Sequence, residues 1–96
     1  MPRNLGPLRR NPDVLAKRLD GGAVLVHLAS HQIFELNATA ARIWDLTDGE
    51  PHEAAIVARI VQEFEIEVGQ AAAEVATLVD QFRREGFLLD RSEEAR

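Results

Sequence analysis

Apolar and polar residues alternate from residue 32 to 36, with Phe34 and Leu36 on one face and Ile33 and Glu35 on the other, which predicts a half-buried strand. At Asn37 the period changes. Ala40, Ile43 and Trp44 recur at helical spacing, and the short amide of Asn37 suits an N-cap that accepts from the orphan N–H groups of a helix starting at Ala38. Upstream, residues 14–19 are compatible with a strand. Asp20-Gly21-Gly22 supplies the positive-φ positions of a tight hairpin, and residues 23–29 return as a second strand. Val24, Val26 and Leu28 share one of its faces and Leu25, His27 and Ala29 the other, so this strand is apolar on both sides and predicted to be central. Ala29-Ser30-His31 then turns the chain into the strand at 32–36, giving a meander whose first and third strands are edges.

Downstream the pattern is helical. Thr47-Asp48-Gly49-Glu50-Pro51 breaks the chain, with Gly49 suited to ending the first helix and Pro51 to the first turn of the next. Ile56, Val57, Ile60, Val61 and Phe64 form the stripe of a second amphipathic helix, with Arg59, Gln62 and Glu63 outward. Residues 65–69 read as a connector whose Ile66 and Val68 return to the core. A third helix over residues 70–85 carries Ala71, Val75, Leu78, Val79 and Phe82 on its stripe and Glu74, Asp80, Gln81 and Arg84 outside it. Gly86 is placed to terminate it, with Phe87 folding back on Phe82, and Leu88 and Leu89 continue as a short extended tail. The breaker-rich, basic residues 1–10 read as a mobile arm, residues 11–90 as the folded domain and residues 91–96 as a frayed tail.

Three strands followed by three helices make an α+β, winged-helix-like domain, with a three-stranded antiparallel meander beside the last helix. Ninety-six residues allow one such domain and one modest core. The absence of cysteine removes disulfides, thiolate metal sites and Cys nucleophiles. A start without the apolar run of a signal peptide makes a cytoplasmic location the expectation. No stretch has the length and apolarity of a membrane span, so no membrane partner is expected. The net charge of −5 argues against a nucleic-acid surface.

The stretch from Leu36 to Gly49, Leu-Asn-Ala-Thr-Ala-Ala-Arg-Ile-Trp-Asp-Leu-Thr-Asp-Gly, carries a family resemblance. It is preceded by the Val-Leu-Val-His-Leu strand at 24–28 and followed by two helices and the Gly-Phe-Leu-Leu ending at 86–89. In that order and spacing it resembles the PqqD family, the peptide chaperones of pyrroloquinoline quinone biosynthesis, also called RiPP recognition elements. The resemblance covers roughly residues 8–90 and implies the same winged-helix fold. It also implies capture of a precursor's leader peptide as an added strand between the third strand and the third helix.

The other candidate chemistry is sparse. His27, His31 and His52 lack the matched spacing and companion ligands of a metal site and read as surface or sheet-face residues. Ser30 beside His31 has no orienting acid or oxyanion hole. Glu63, Glu65 and Glu67 alternate with apolar residues and lack the pattern of a calcium loop, and Gly21-Gly22 opens no phosphate-binding helix. Trp44 reads as core. No cofactor, metal or catalytic residue is expected. The third strand is the candidate that remains, because an edge is normally blunted by charge or proline and residues 32–36 carry one acid and no proline.

The expected function is therefore a non-catalytic peptide-binding module that holds a precursor leader by β-augmentation and delivers it to a modifying enzyme of radical-SAM, cyclase or protease type. Ile33, Phe34, Glu35 and Leu36 form the strand side of the site. Val75, Ala76, Val79 and Arg83, chosen by helical phase, form the helix side, with Arg83 placed to pair with an acidic leader residue. The oligomeric state is left open between monomer and homodimer. The rival readings are a winged-helix DNA-binding protein, weakened by the Glu- and Ala-rich second helix, and a small enzyme, for which no group set exists.

Overall fold

The computed structural model describes residues 9–49 and 52–89, and their elements follow the expected order with one addition at each end. β1 (Arg9–Arg10), β2 (Val14–Leu19), β3 (Gly22–His27) and β4 (Gln32–Asn37) precede α1 (Ala38–Gly49), α2 (Glu53–Phe64), α3 (Val68–Arg84) and β5 (Leu88–Leu89). β2, β3 and β4 pair antiparallel in chain order, which makes β3 central and leaves β2 and β4 as edges. Gly21, at φ 78°, makes the first hairpin turn as its sequence anticipates. Gly22 is required for a second reason: a Cβ there would stand 2.1 Å from the carbonyl oxygen of Leu36 on β4.

One face of the sheet is the core face. Ala23, Leu25 and His27 of β3 and Leu36 of β4 are buried on it, against Ile43 and Trp44 of α1. Ile56 and Ile60 from α2, and Val75, Val79 and Phe82 from α3, close the core from the other side. Phe82 is its aromatic centre, edge-on to Phe34 at 5.5 Å and to Trp44 at 5.3 Å. The burial of Trp44 agrees with its place on the inner stripe of α1.

Two helix ends follow the local rules. The Ala40 N–H donates to Asn37 Oδ1 at 2.8 Å, the bond of an N-cap to the third helical residue. Asn37→Ala is accordingly expected to lower stability by about 1 kcal/mol, read as a lower denaturant midpoint with an unchanged slope. At the far end of α3, Gly86 sits at φ 83°. The Phe87 N–H bonds to the Phe82 carbonyl at 2.7 Å and the Gly86 N–H to the Arg83 carbonyl at 3.1 Å, the paired bonds of a Schellman ending. The Phe82 and Phe87 rings meet at 6.3 Å as its apolar contact.

Three expectations are corrected. Arg9 and Arg10, assigned to a mobile arm, pair with Leu89 and Leu88 as a two-stranded sheet. The Arg10 guanidinium lies 4.5 Å over the Trp44 ring and donates to the Trp44 carbonyl at 2.5 Å and to Thr47 Oγ1 at 3.1 Å. Burial lowers its pKa, opposed by Asp48 and Asp45. His27 does stand on a sheet face, the one that carries the core, and is buried there, with Asn11 Nδ2 3.3 Å from Nε2 and the Phe87 ring at 5.8 Å. Helix α3 begins at Val68, and that side chain is exposed, whereas Ile66 does pack on the core. The remainder of the arm, residues 1–8, the first-turn role given to Pro51, and the tail at 91–96 lie outside the described residues.

Candidate functional site: the open edge of β4

The β4 edge has polar groups on a definite set of residues. Backbone N–H and C=O groups alternate sides along a strand, and the Leu28 N–H donates to Asp13 on the β2 side at 2.8 Å. Even-numbered residues of β3 therefore face β2 and odd-numbered ones face β4. Since Leu25 pairs with Phe34 and Val24 with Glu35, residues 32, 34 and 36 bond inward to β3. Residues 33 and 35 turn their N–H and C=O outward, and Asn37 its N–H, where no strand among the described residues pairs with them; the Asn37 carbonyl, as that of the N-cap, belongs to the first turn of α1.

Beyond this edge lies a groove of about 510 Å³. Its strand side is formed by Phe34, Glu35, Leu36 and Asn37 of β4 with Ala40 of α1, and its helix side by Ala73, Glu74, Thr77, Leu78 and Gln81 of α3. Phe34, Leu36, Ala40 and Leu78 make an apolar floor, while Asn37, Glu74, Thr77 and Gln81 make a polar rim. Glu74 Oε2 accepts from Gln70 Nε2 at 3.3 Å. At the start of β4, Gln32 Nε2 donates to Glu85 Oε1 just past the end of α3, tying strand to helix there. Phe34, rooted against Phe82 and Phe87, fixes the depth of the floor.

Of the residues assigned to the strand side, Phe34, Glu35 and Leu36 line the groove. Ile33 contributes its backbone to the open edge while its side chain stands on the opposite sheet face, 66 % exposed. On the helix the expected set falls elsewhere. Val75 and Val79 are wholly buried, so neither has surface to offer a guest. Ala76 lies two residues from Glu74 and Leu78, and Arg83 two from Gln81, about 160° round the helix in each case, which puts both on the far flank of α3. The helix wall is the row Glu74, Leu78, Gln81, one step round from the core row Val75, Val79, Phe82. The signal in the sequence is that Leu78 sits at the margin of the apolar stripe, with polar residues at i−4 and i+3.

An unpaired strand edge that faces a helix across an apolar-floored groove is the geometry of a small α+β domain suited to take up an extended segment. The chain belongs to the PqqD family, described as coenzyme PQQ synthesis protein D, whose model matches residues 22–88. Two solved structures are similar in fold. A lasso peptide synthetase B1 complexed with the leader peptide is 30 % identical, covers 86 % of this chain and 98 % of its own, and superposes with a TM-score of 0.76. TbiB1 in complex with the TbiA(beta) leader peptide is 22 % identical, with coverages of 83 % and 93 % and a TM-score of 0.76. Among curated proteins none matches the chain. Among the described residues no helix is long and apolar enough to cross a membrane.

Proposed function

We propose that this protein is a non-catalytic module that binds the leader segment of a ribosomally made precursor peptide and presents it to a separate modifying enzyme of radical-SAM, cyclase or protease type. The observation that carries the reading is the outward set of N–H and C=O groups at Ile33 and Glu35, continued by the Asn37 N–H, beside the α3 groove. It is supported by membership of the PqqD family and by the similarity to B1 proteins solved with leader peptides. Main-chain pairing along β4 supplies affinity, and the floor and rim of the groove select alternate side chains of the guest. The helix contacts are Ala73, Glu74, Thr77, Leu78 and Gln81. Glu74 is the one charged side chain on that wall among the described residues, so the rim favours a neutral or basic leader residue over an acidic one.

Thr77 is exposed, which makes it the position where the groove can be filled without touching the core. Thr77→Trp is expected to weaken binding of a fluorescently labelled cognate leader peptide by tenfold or more, about 1.4 kcal/mol or more of lost contact, with an unchanged circular dichroism spectrum. Undiminished affinity in the filled variant rules the groove out as the peptide site.

A further inference from the structure

The sheet face turned away from the helices carries apolar side chains in register. Leu15, Val26 and Ile33 stand abreast across β2, β3 and β4, and Lys17, Val24 and Glu35 form the next row. Leu28 continues the run past the end of β3 on the same side. Leu15 is 57 % exposed, Ile33 66 % and Leu28 49 %, and these residues adjoin one another, unlike scattered surface leucines. Among the described residues neither Lys17 nor Glu35 has an ion-pair partner.

The charges on this face are self-complementary. A two-fold axis parallel to the strands and lying in the contact plane sets β2 of one copy over β4 of the other and β3 over β3, with each row kept at its own level. Lys17 then opposes Glu35 of the second copy, and Leu15 opposes its Ile33. Val24 and Val26 meet their own counterparts at the centre. The ion pair occurs twice, once on each side of an apolar middle, in the aligned face-to-face packing that antiparallel sheets adopt.

We infer that this face packs against the same face of a second copy of the chain, forming a symmetric dimer through Leu15, Val26 and Ile33 with reciprocal Lys17–Glu35 pairs. The β4 edge stays open in this dimer, because a guest strand beside β4 lies beyond the partner's β2. The inference does not rest on leader binding: its side chains stand on the sheet face turned away from the helices, although Glu35, whose side chain lies there beside Val24, also borders the groove. Three strands at about 4.8 Å spacing and six residues at about 3.4 Å rise give each copy roughly 300 Å² of projected face. A standard interface uses about 800 Å² per partner, so association is expected to be weak and concentration-dependent.

Sedimentation velocity of the full chain, from about 1 μM to about 1 mM, covers the affinity that such an area allows. The expected result is a rise in weight-average mass toward a dimer. Lys17→Glu and Glu35→Lys, each placing two like-charged contacts in the dimer, are expected to raise its dissociation constant about tenfold. The double exchange Lys17→Glu with Glu35→Lys restores both pairs and is expected to return it to within about threefold of the parent. Ile33→Ser, which leaves the core untouched, abolishes the association, and thermal melts confirm that each variant is folded. A chain that stays monomeric throughout overturns the inference, as does a dimer indifferent to the single reversals or not rescued by the double exchange.

Discussion

Trp44→Ala is expected to cost about 3–5 kcal/mol, because it empties a large buried volume that the surrounding helices cannot close. That is a large share of the roughly 5–15 kcal/mol that holds a domain of this kind together. Trp44 is 3 % exposed, edge-on to Phe82, and roofed by the Arg10 guanidinium. Its loss thus removes the aromatic contact to α3 and the platform that keeps β1 on α1. Thermal and urea unfolding should show a chain partly unfolded at room temperature or a melting point lowered by well over 10 °C. A variant as stable as the parent would mean that the ring contributes nothing to the core.

The proline pair separates folding from peptide capture. Glu35→Pro deletes an N–H that points to the open edge, and proline is tolerated on edge strands, so the domain is expected to remain folded. The leader loses a donor and is left with an unsatisfied carbonyl, which lowers affinity about ten- to a hundredfold. Phe34→Pro, one residue earlier, deletes an N–H that faces β3 and removes the ring packed on Phe82 and Phe87, and it is expected to unfold the domain. Circular dichroism with a leader titration distinguishes the two. Tight binding by a folded Glu35→Pro variant would show that the guest does not pair along β4.

What the sequence made legible was whatever short-range chemistry decides. The cap at Asn37, the Gly86 ending and the alternation of Phe34 and Leu36 each depend on residues within five positions of one another, and all three stand where the pattern put them. The pairing of Arg10 with Leu88 joins positions 78 apart through two residues on each side, too short a run to leave a periodicity. The burial of His27 follows from Asn11 and Phe87, which sequence distance hides. The groove wall was missed for a related reason. Helical phase locates the side that packs, Val75 and Val79, but a binding wall lies at the margin of that stripe, and which margin faces β4 is set by the angle at which α3 crosses the sheet. Phase alone could not choose between Gln81 on one flank and Arg83 on the other.

The pairing of β1 with β5 has one more consequence. Arg9 and Leu89 are cross-strand partners, so the two ends of the described fold lie about 5 Å apart. A polypeptide spliced in at such a seam needs almost no linker to rejoin its host, since the closure of the inserted loop is already met by the fold. The seam is made by β1 and β5 alone, in a sheet separate from β2-β3-β4, so it leaves the edge at β4 untouched.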